Sequence, residues 1–234
     1  MSTIKGIFEP FYTYVTTQLN LRKSLISQIP TSSIETPLKL RGEDFFAYTT
    51  EKQCTIRMAS GVDVKTTNNL LTPNERSLTG ALLASQWVLE GGVKGQESGF
   101  GEGGYGSSFS RSDAADGFGI VPMPGIVDAT IDTKSDDGSL REATVNFVCH
   151  NKRQLEILEA LYMRPGYPIL LEWGWTPYIS NEGNVEKGTF SILDNFMRAS
   201  ENLNSLNEKI SGYKKDSGGN YDGFIGFCKN FSFK

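Results

Sequence analysis

The chain predicts an α+β fold with antiparallel strands as its main layer, and three stretches between Gly125 and Trp175 carry that prediction. From Gly125 to Thr133 the residues alternate, with Val127, Ala129 and Ile131 facing one way and Asp128, Thr130 and Asp132 the other, the period-2 pattern of a half-buried strand. Asp137 and Gly138 turn the chain, and a second run puts Ala143, Val145, Phe147 and Cys149 on one face and Thr144, Asn146 and His150 on the other. The two runs therefore read as an antiparallel pair. A helix and a third strand follow, which makes the unit strand, strand, helix, strand.

Each part of that unit has its own local signal. Asn151 is placed as an N-cap, with Gln154 three residues on, and Leu155, Leu158 and Leu161 form an apolar stripe backed by Ile157 and Tyr162. Pro165 and Gly166 stop the helix. Tyr167 to Trp175 is nearly all apolar, so this strand is expected to be buried on both faces or covered by the helix before it.

Bulk properties bound the rest. A chain of 234 residues, 38% of them hydrophobic, has room for one large domain or two small ones and is no disordered tail. Its formal charge of −4 gives no footprint of a nucleic-acid binder, which needs clustered Lys and Arg in excess of the acids. Cys54, Cys149 and Cys228 are odd in number and widely spaced in strand-like runs, so they read as buried free thiols of a reducing compartment. No basic segment followed by an apolar run opens the chain, and no window approaches the ~18 apolar residues of a membrane span. Synthesis and assembly in the cytoplasm are the expectation.

Taken in order, residues 4–29 carry apolar positions at Ile7, Phe11, Tyr14, Val15, Leu19, Leu25, Ile26 and Ile29, an amphipathic helix ended by Pro30. With the Ser-, Thr- and Pro-containing linker that follows, it makes an arm over 1–40, leaving 41–234 as the main domain. Cys54, Ile56 and Met58 alternate as a strand, and Gly61 marks a turn or bulge before Val62 and Val64. Thr72, Pro73 and Glu75 form a capping box opening a helix through Leu78, Leu82 and Leu89, with Gly91 and Gly92 as its stop. Residues 91–119 are a long glycine- and serine-rich loop. Phe190, Leu193, Met197, Leu203, Leu206 and Ile210 suggest a helical stretch, Tyr213 to Asn220 a loop, and Phe224 to Phe233 a terminal strand.

Candidate chemistry is thin. GFGEGG and GEGGYG match the dinucleotide pattern in letters, but a helix precedes them and a polar loop follows, the reverse of what positions a pyrophosphate. Cys149 and His150, as strand neighbours, point to opposite faces and cannot act as nucleophile and base. The DTKSDDG turn lacks the register and closing glutamate of a calcium loop. Glu172 stands in an apolar strand and is expected to pair with Arg141 or Arg164, or to meet solvent at a strand end. No second carboxylate is spaced to make a glycosidase dyad with it. Trp173, Trp175 and Tyr178 read as core and interface anchors. No cofactor, metal or catalytic residue is expected.

GIVPMPGI, GSLREATVNF, KRQLEILEALYMRPGY and LLEWGW together resemble a family of structural proteins of tailed-bacteriophage virions. The layout of strand, helix and strand is similar to baseplate-hub and tail-tube-initiator proteins of contractile-tailed phages, over most of the chain from FYTYV to NFSFK. The resemblance implies a barrel-like antiparallel β layer with helices on one side, and a subunit of a homo-oligomeric ring contacting other tail and baseplate proteins. The ring would sit in the virion, conduct DNA without reading its sequence, and have no membrane or enzymatic role. Core or interface positions would be Arg141, Leu155, Leu158, Tyr162, Pro165, Gly166, Glu172, Trp173 and Trp175, and the assembly arm would use Phe11, Tyr14, Val15 and Leu19. Relatives would continue past NFSFK with more strands, making this chain a short paralogue or a fragment. Three other readings stand beside it: a tail-associated cell-wall hydrolase working through Glu172, another virion ring or neck protein, and a soluble module binding a ligand on Trp173 and Trp175.

Overall fold

The computed structural model describes residues 13–27, 48–62, 87–92, 124–134, 140–180, 184–197 and 202–233. The strand following the central helix, β5 (Pro168–Thr176), is the middle of the fold. It pairs antiparallel with β1 (Gln53–Ser60), from Gln53 opposite Thr176 to Ser60 opposite Ile169. On its other side it pairs antiparallel with β8 (Tyr221–Phe227), from Pro168 opposite Phe227 to Gly174 opposite Tyr221. Strand β2 (Leu89–Gly92) adds to the far side of β1, giving the order β2-β1-β5-β8, while the short β6 (Tyr178–Ile179) and β7 (Val185–Glu186) pair antiparallel as a separate ladder.

The four-stranded sheet is open, and none of the sheets among the described residues closes into a barrel. The expected barrel fails because β3 (Gly125–Thr133) and β4 (Arg141–Val148) pair, among the described residues, with each other and not with the four-stranded sheet. Ile126, Ile131, Ala143, Val145 and Phe147 then pack on the core as a hairpin laid over the sheet. The expectation of helices on one side is also corrected. Adjacent residues of β5 face opposite ways, and both Leu170 and Leu171 are buried. Leu171 joins Met58 and Leu89 against α2 (Lys152–Tyr162), whereas Leu170 joins Ala59 and Val88 against α4 (Leu203–Asp216) and the short α3 (Leu193–Phe196). A strand apolar on both faces requires cover on both.

The antiparallel pairing of β3 with β4 is as the alternation predicts, and Ala143, Val145, Phe147 and Cys149 all lie on the more buried face. Val127 departs from it. The register shifts between Ile126 and Asp128, so Val127 is an extra residue in the ladder, pushed out to 69% exposure while Ile126 takes the inward place. Lys134 N donates to Leu140 O at 2.8 Å where the hairpin closes.

Helix α2 begins and ends for stated reasons. Asn151 Oδ1 accepts from Gln154 N at 2.7 Å, and Gln154 Oε1 accepts from His150 N at 2.7 Å, a reciprocal cap shifted back by one residue. Ile157, Leu158, Leu161 and Tyr162 are buried, and Leu155 sits half-buried at the edge of the stripe. At the other end Ser60 Oγ donates to Leu161 O at 2.6 Å, occupying one of the carbonyls a helix terminus leaves open. Tyr162 Oη donates to Met58 O and Trp87 O at 3.0 and 2.7 Å, which ties the helix to the sheet. Gly166 has φ of 94°, a left-handed turn suited to glycine, with Pro165 exposed before it.

Several other boundaries move. Leu89, Gly91 and Gly92 are strand residues rather than the end of a helix, because their backbone pairs with Met58, Ile56 and Thr55. Gly61 marks no bulge: its N–H extends the β1–β5 pairing to Pro168 O at 2.8 Å, and a Cβ there would lie 2.6 Å from Pro168 Cγ. The stretch from Phe190 divides into α3 and α4, and Tyr213 to Asp216 continue α4 where a loop was expected. The terminal strand stops at Phe227, leaving Cys228 to Phe233 outside it. The cysteines are free, but Cys54 is exposed and Cys149 and Cys228 are half-buried. Helix α1 (Thr13–Ser27) lies within the predicted arm, with Leu19 exposed and Gln18 buried, so hydrophobicity alone does not set its docked face. Phe11, the linker, the Thr72 capping box, Val64 and the glycine-rich segment beyond Gly92 lie outside the described residues.

Candidate functional site

The polar centre of the molecule is built on β5. Glu172 is 3% exposed, and its side chain leaves the sheet on the face shared with Leu170. In the sheet register Glu90 stands opposite Arg57, and Arg57 stands opposite Glu172. The three side chains form a charge ladder across β2, β1 and β5: Arg57 Nε reaches Glu90 Oε1 at 2.9 Å and Arg57 Nη1 reaches Glu172 Oε1 at 3.0 Å. Neither Arg141 nor Arg164 is the partner of Glu172, and the carboxylate does not meet solvent. Arg141 instead bonds Asp222 Oδ1 and Gly223 O, both at 3.2 Å, pinning the hairpin to β8.

Both oxygens of Glu172 are fully used. Oε1 accepts from Arg57 and from Ser191 Oγ at 2.6 Å, and Oε2 accepts from Ile192 N at 3.0 Å and Tyr221 Oη at 3.0 Å. A carboxylate has about four acceptor sites, so none is left to hold a substrate proton. Ser191 Oγ also accepts from Arg57 Nη1 and Leu193 N, fixing the start of α3 to the same node. Burial opposes the charge on Arg57, but Glu172 and Glu90 outweigh it and hold the guanidinium above its ordinary range. Burial first, and then the Glu172 charge, push the Tyr221 phenol up. Burial does the same to Tyr162.

Around this node lies an aromatic group that bridges elements. Phe190 lies 5.5 Å from Tyr178, 5.1 Å from Tyr213 and 6.2 Å from Tyr221, measured between ring centroids. These tilted rings are a packed wall. On the opposite face Trp173 meets Phe224 edge-on at 6.1 Å, while Trp175, two residues further along the same face, is 49% exposed. β4 ends at Val148, so Cys149 and His150 lie just beyond the strand in which they were expected; Cys149 packs against the core while His150 is exposed. Among the described residues no cluster of His, Cys, Asp and Glu could hold a metal ion, and no helix is long and apolar enough to cross a membrane.

Of the residues singled out in the sequence, Leu158, Tyr162 and Glu172 are core, Trp173 is partly so, and Arg141 is a cross-element tie. Arg57, Ser191 and Tyr221, which complete the node, carried no local signal. An arginine in an alternating strand would have pointed to Arg57 as a partner for the buried acid, had the strand order been known.

Large apolar side chains stand exposed at several points of the remaining surface. Val127 and Val148 stand out near the bulged end of the hairpin, and Leu140 precedes β4 at the other. Phe227, Phe231 and Phe233 are also exposed, and Lys229 Nζ bonds Glu142 Oε1 at 3.2 Å to hold this segment beside β4. No family model, no curated protein and no solved structure matches this chain.

Proposed function

We propose that this chain is a structural subunit of a phage tail, a ring-forming protein of the baseplate hub or the adjacent tail tube. The observation that supports the reading best is the pairing of a chemically closed interior with an apolar exterior. The buried carboxylate has every acceptor occupied by the protein itself, whereas large side chains stand in solvent at Val127, Leu140, Trp175, Phe227, Phe231 and Phe233. Where such residues adjoin, as Phe231 and Phe233 do with ring centroids 5.7 Å apart, they suit contact between subunits. Among the described residues the sheet ends in two edge strands, β2 and β8, of the sort through which copies can join.

A cell-wall hydrolase is the weaker reading, because Glu172 would have to give up at least one of its four donors before it could act on a glycosidic oxygen. The test of the proposal is where the chain sits in a cryo-EM map of the particle carrying it. Density for a ring at the head of the tail supports the reading. Density confined to the capsid shell, or none in the particle, removes it.

A further inference from the structure

Helix α1 docks on the rest of the molecule through polar atoms that are left incompletely satisfied. Gln18 is 3% exposed, donates from Nε2 to Ile179 O at 2.8 Å and packs against Gly218, but its Oε1 has no partner. One turn along, Arg22 is half-buried, and its Nε is buried without a partner. Across the seam Ser180, 8% exposed, has a buried hydroxyl oxygen without a partner. Lys52 reaches the same two short stretches of chain from the other side: its Nζ donates to Pro177 O at 3.3 Å and to Asn220 Oδ1 at 3.2 Å, and lies 4.5 Å from the ring centre of Tyr48. Two cations thus meet at one seam, and neither has a carboxylate partner among the described residues.

The C-terminal end of α4 nearby does not neutralise them. A helix terminus carries only about half an elementary charge, and Lys214 and Lys215 already occupy its last turn. Glu51 is bonded to Lys187, and Asp222 to Lys214 and Arg141.

We propose that this seam, between α1 and the turns at Pro177 to Ser180 and Gly218 to Asn220, binds a phosphate-class oxyanion through Arg22, Lys52 and Ser180. The chemistry selects it. A phosphate or phosphomonoester carries about −1.5 to −2 charges and matches the two cations, where a carboxylate would leave one over. Its oxygens point in several directions, so it can accept from a guanidinium, an ammonium and a hydroxyl on three separate elements. The Arg22 Nε and the Ser180 hydroxyl are both buried without a partner, so an anion seated between them would satisfy both. Consistent with an uncompensated site, burial first and the Arg22 charge second lower Lys52 to about 8.

The experiment titrates the whole chain with inorganic phosphate, and in parallel with phenyl phosphate, at constant ionic strength in chloride. Melting temperature and the side-chain NMR signal of Lys52 are followed together. A saturable rise in melting temperature is expected, with the Lys52 pKa returning toward its ordinary value of 10.5. Affinity should fall roughly fifteenfold between about pH 8 and 9.5, as the ammonium loses its proton in the free protein. Lys52→Gln and Arg22→Gln should each abolish saturation, Arg22→Lys should partly restore it, and Lys187→Gln should leave it intact. Tighter binding of phenyl phosphate would assign the site to a phosphorylated group, and tighter binding of the inorganic ion to free phosphate. A response that is linear in concentration, or unchanged in both glutamine variants, overturns the proposal. The reading as a ring subunit stands or falls separately, since it makes no use of this seam.

Discussion

At the scale of single residues, Glu172 and Arg57 show why a buried charge can be a structural choice. Taking two charges out of water costs several kcal/mol per ion, and the cost is met here by four donors on the carboxylate and a second acid on the guanidinium. Arg57→Met leaves Glu172 buried without its counter-charge and is expected to lower unfolding free energy by about 3–5 kcal/mol in urea titrations. Arg57→Met with Glu172→Leu should recover only part of that loss, because the fully buried charge is gone while Glu90 loses its ion pair and Ile192 N and Tyr221 Oη lose their acceptor. A double variant as unstable as the single would show that packing, not charge, dominates at the node. The tyrosines give a pH test. Tyr162 and Tyr221 both have phenols raised by burial above the ordinary value of 10.0. Above about pH 10 the unfolded chain therefore sheds protons that the fold retains, so the stability these residues contribute is present below that pH and declines as pH rises beyond it. Near-ultraviolet absorbance should show Tyr162 and Tyr221 ionising only on unfolding, and Tyr162→Phe with Tyr221→Phe should remove that part of the signal. A native protein in which both ionise near pH 10 would refute it.

At the scale of elements, local signals were readable and distant pairings were not. The hairpin of β3 and β4 and the helix α2 were legible because their patterns, caps and stops lie within a few residues of one another. Asn151→Ala should cost about 1 kcal/mol by chemical denaturation, the usual value of a lost N-cap. Gly61→Ala should cost about 1–3 kcal/mol, since the added Cβ meets the Pro168 ring where β1 and β5 lie closest. The bulge at Val127 was hidden because a strict alternation and an alternation with one inserted residue use the same residue types. Leu89 to Gly92 read as the end of a helix because apolar residues before paired glycines fit that signal equally well. Glu172 stood out in its apolar strand, but its partner lies 115 positions away. No spacing rule reaches across that distance, which only the order β2-β1-β5-β8 closes.

At the scale of the whole molecule, both faces of the four-stranded sheet carry buried side chains, and among the described residues β2 and β8 are its outer strands. The exposed apolar residues are distributed over the hairpin ends, the end of β5 and the segment after β8, which suits a subunit touching neighbours on more than one side better than a two-fold dimer with one patch. Mass photometry of the full chain over rising concentration tests this most directly. A tiled subunit gives a closed oligomer of one discrete size, which Trp175→Asp or Phe227→Asp reduces to monomers without lowering the melting temperature. A chain that stays monomeric up to its solubility limit, alone and with both variants behaving alike, contradicts it.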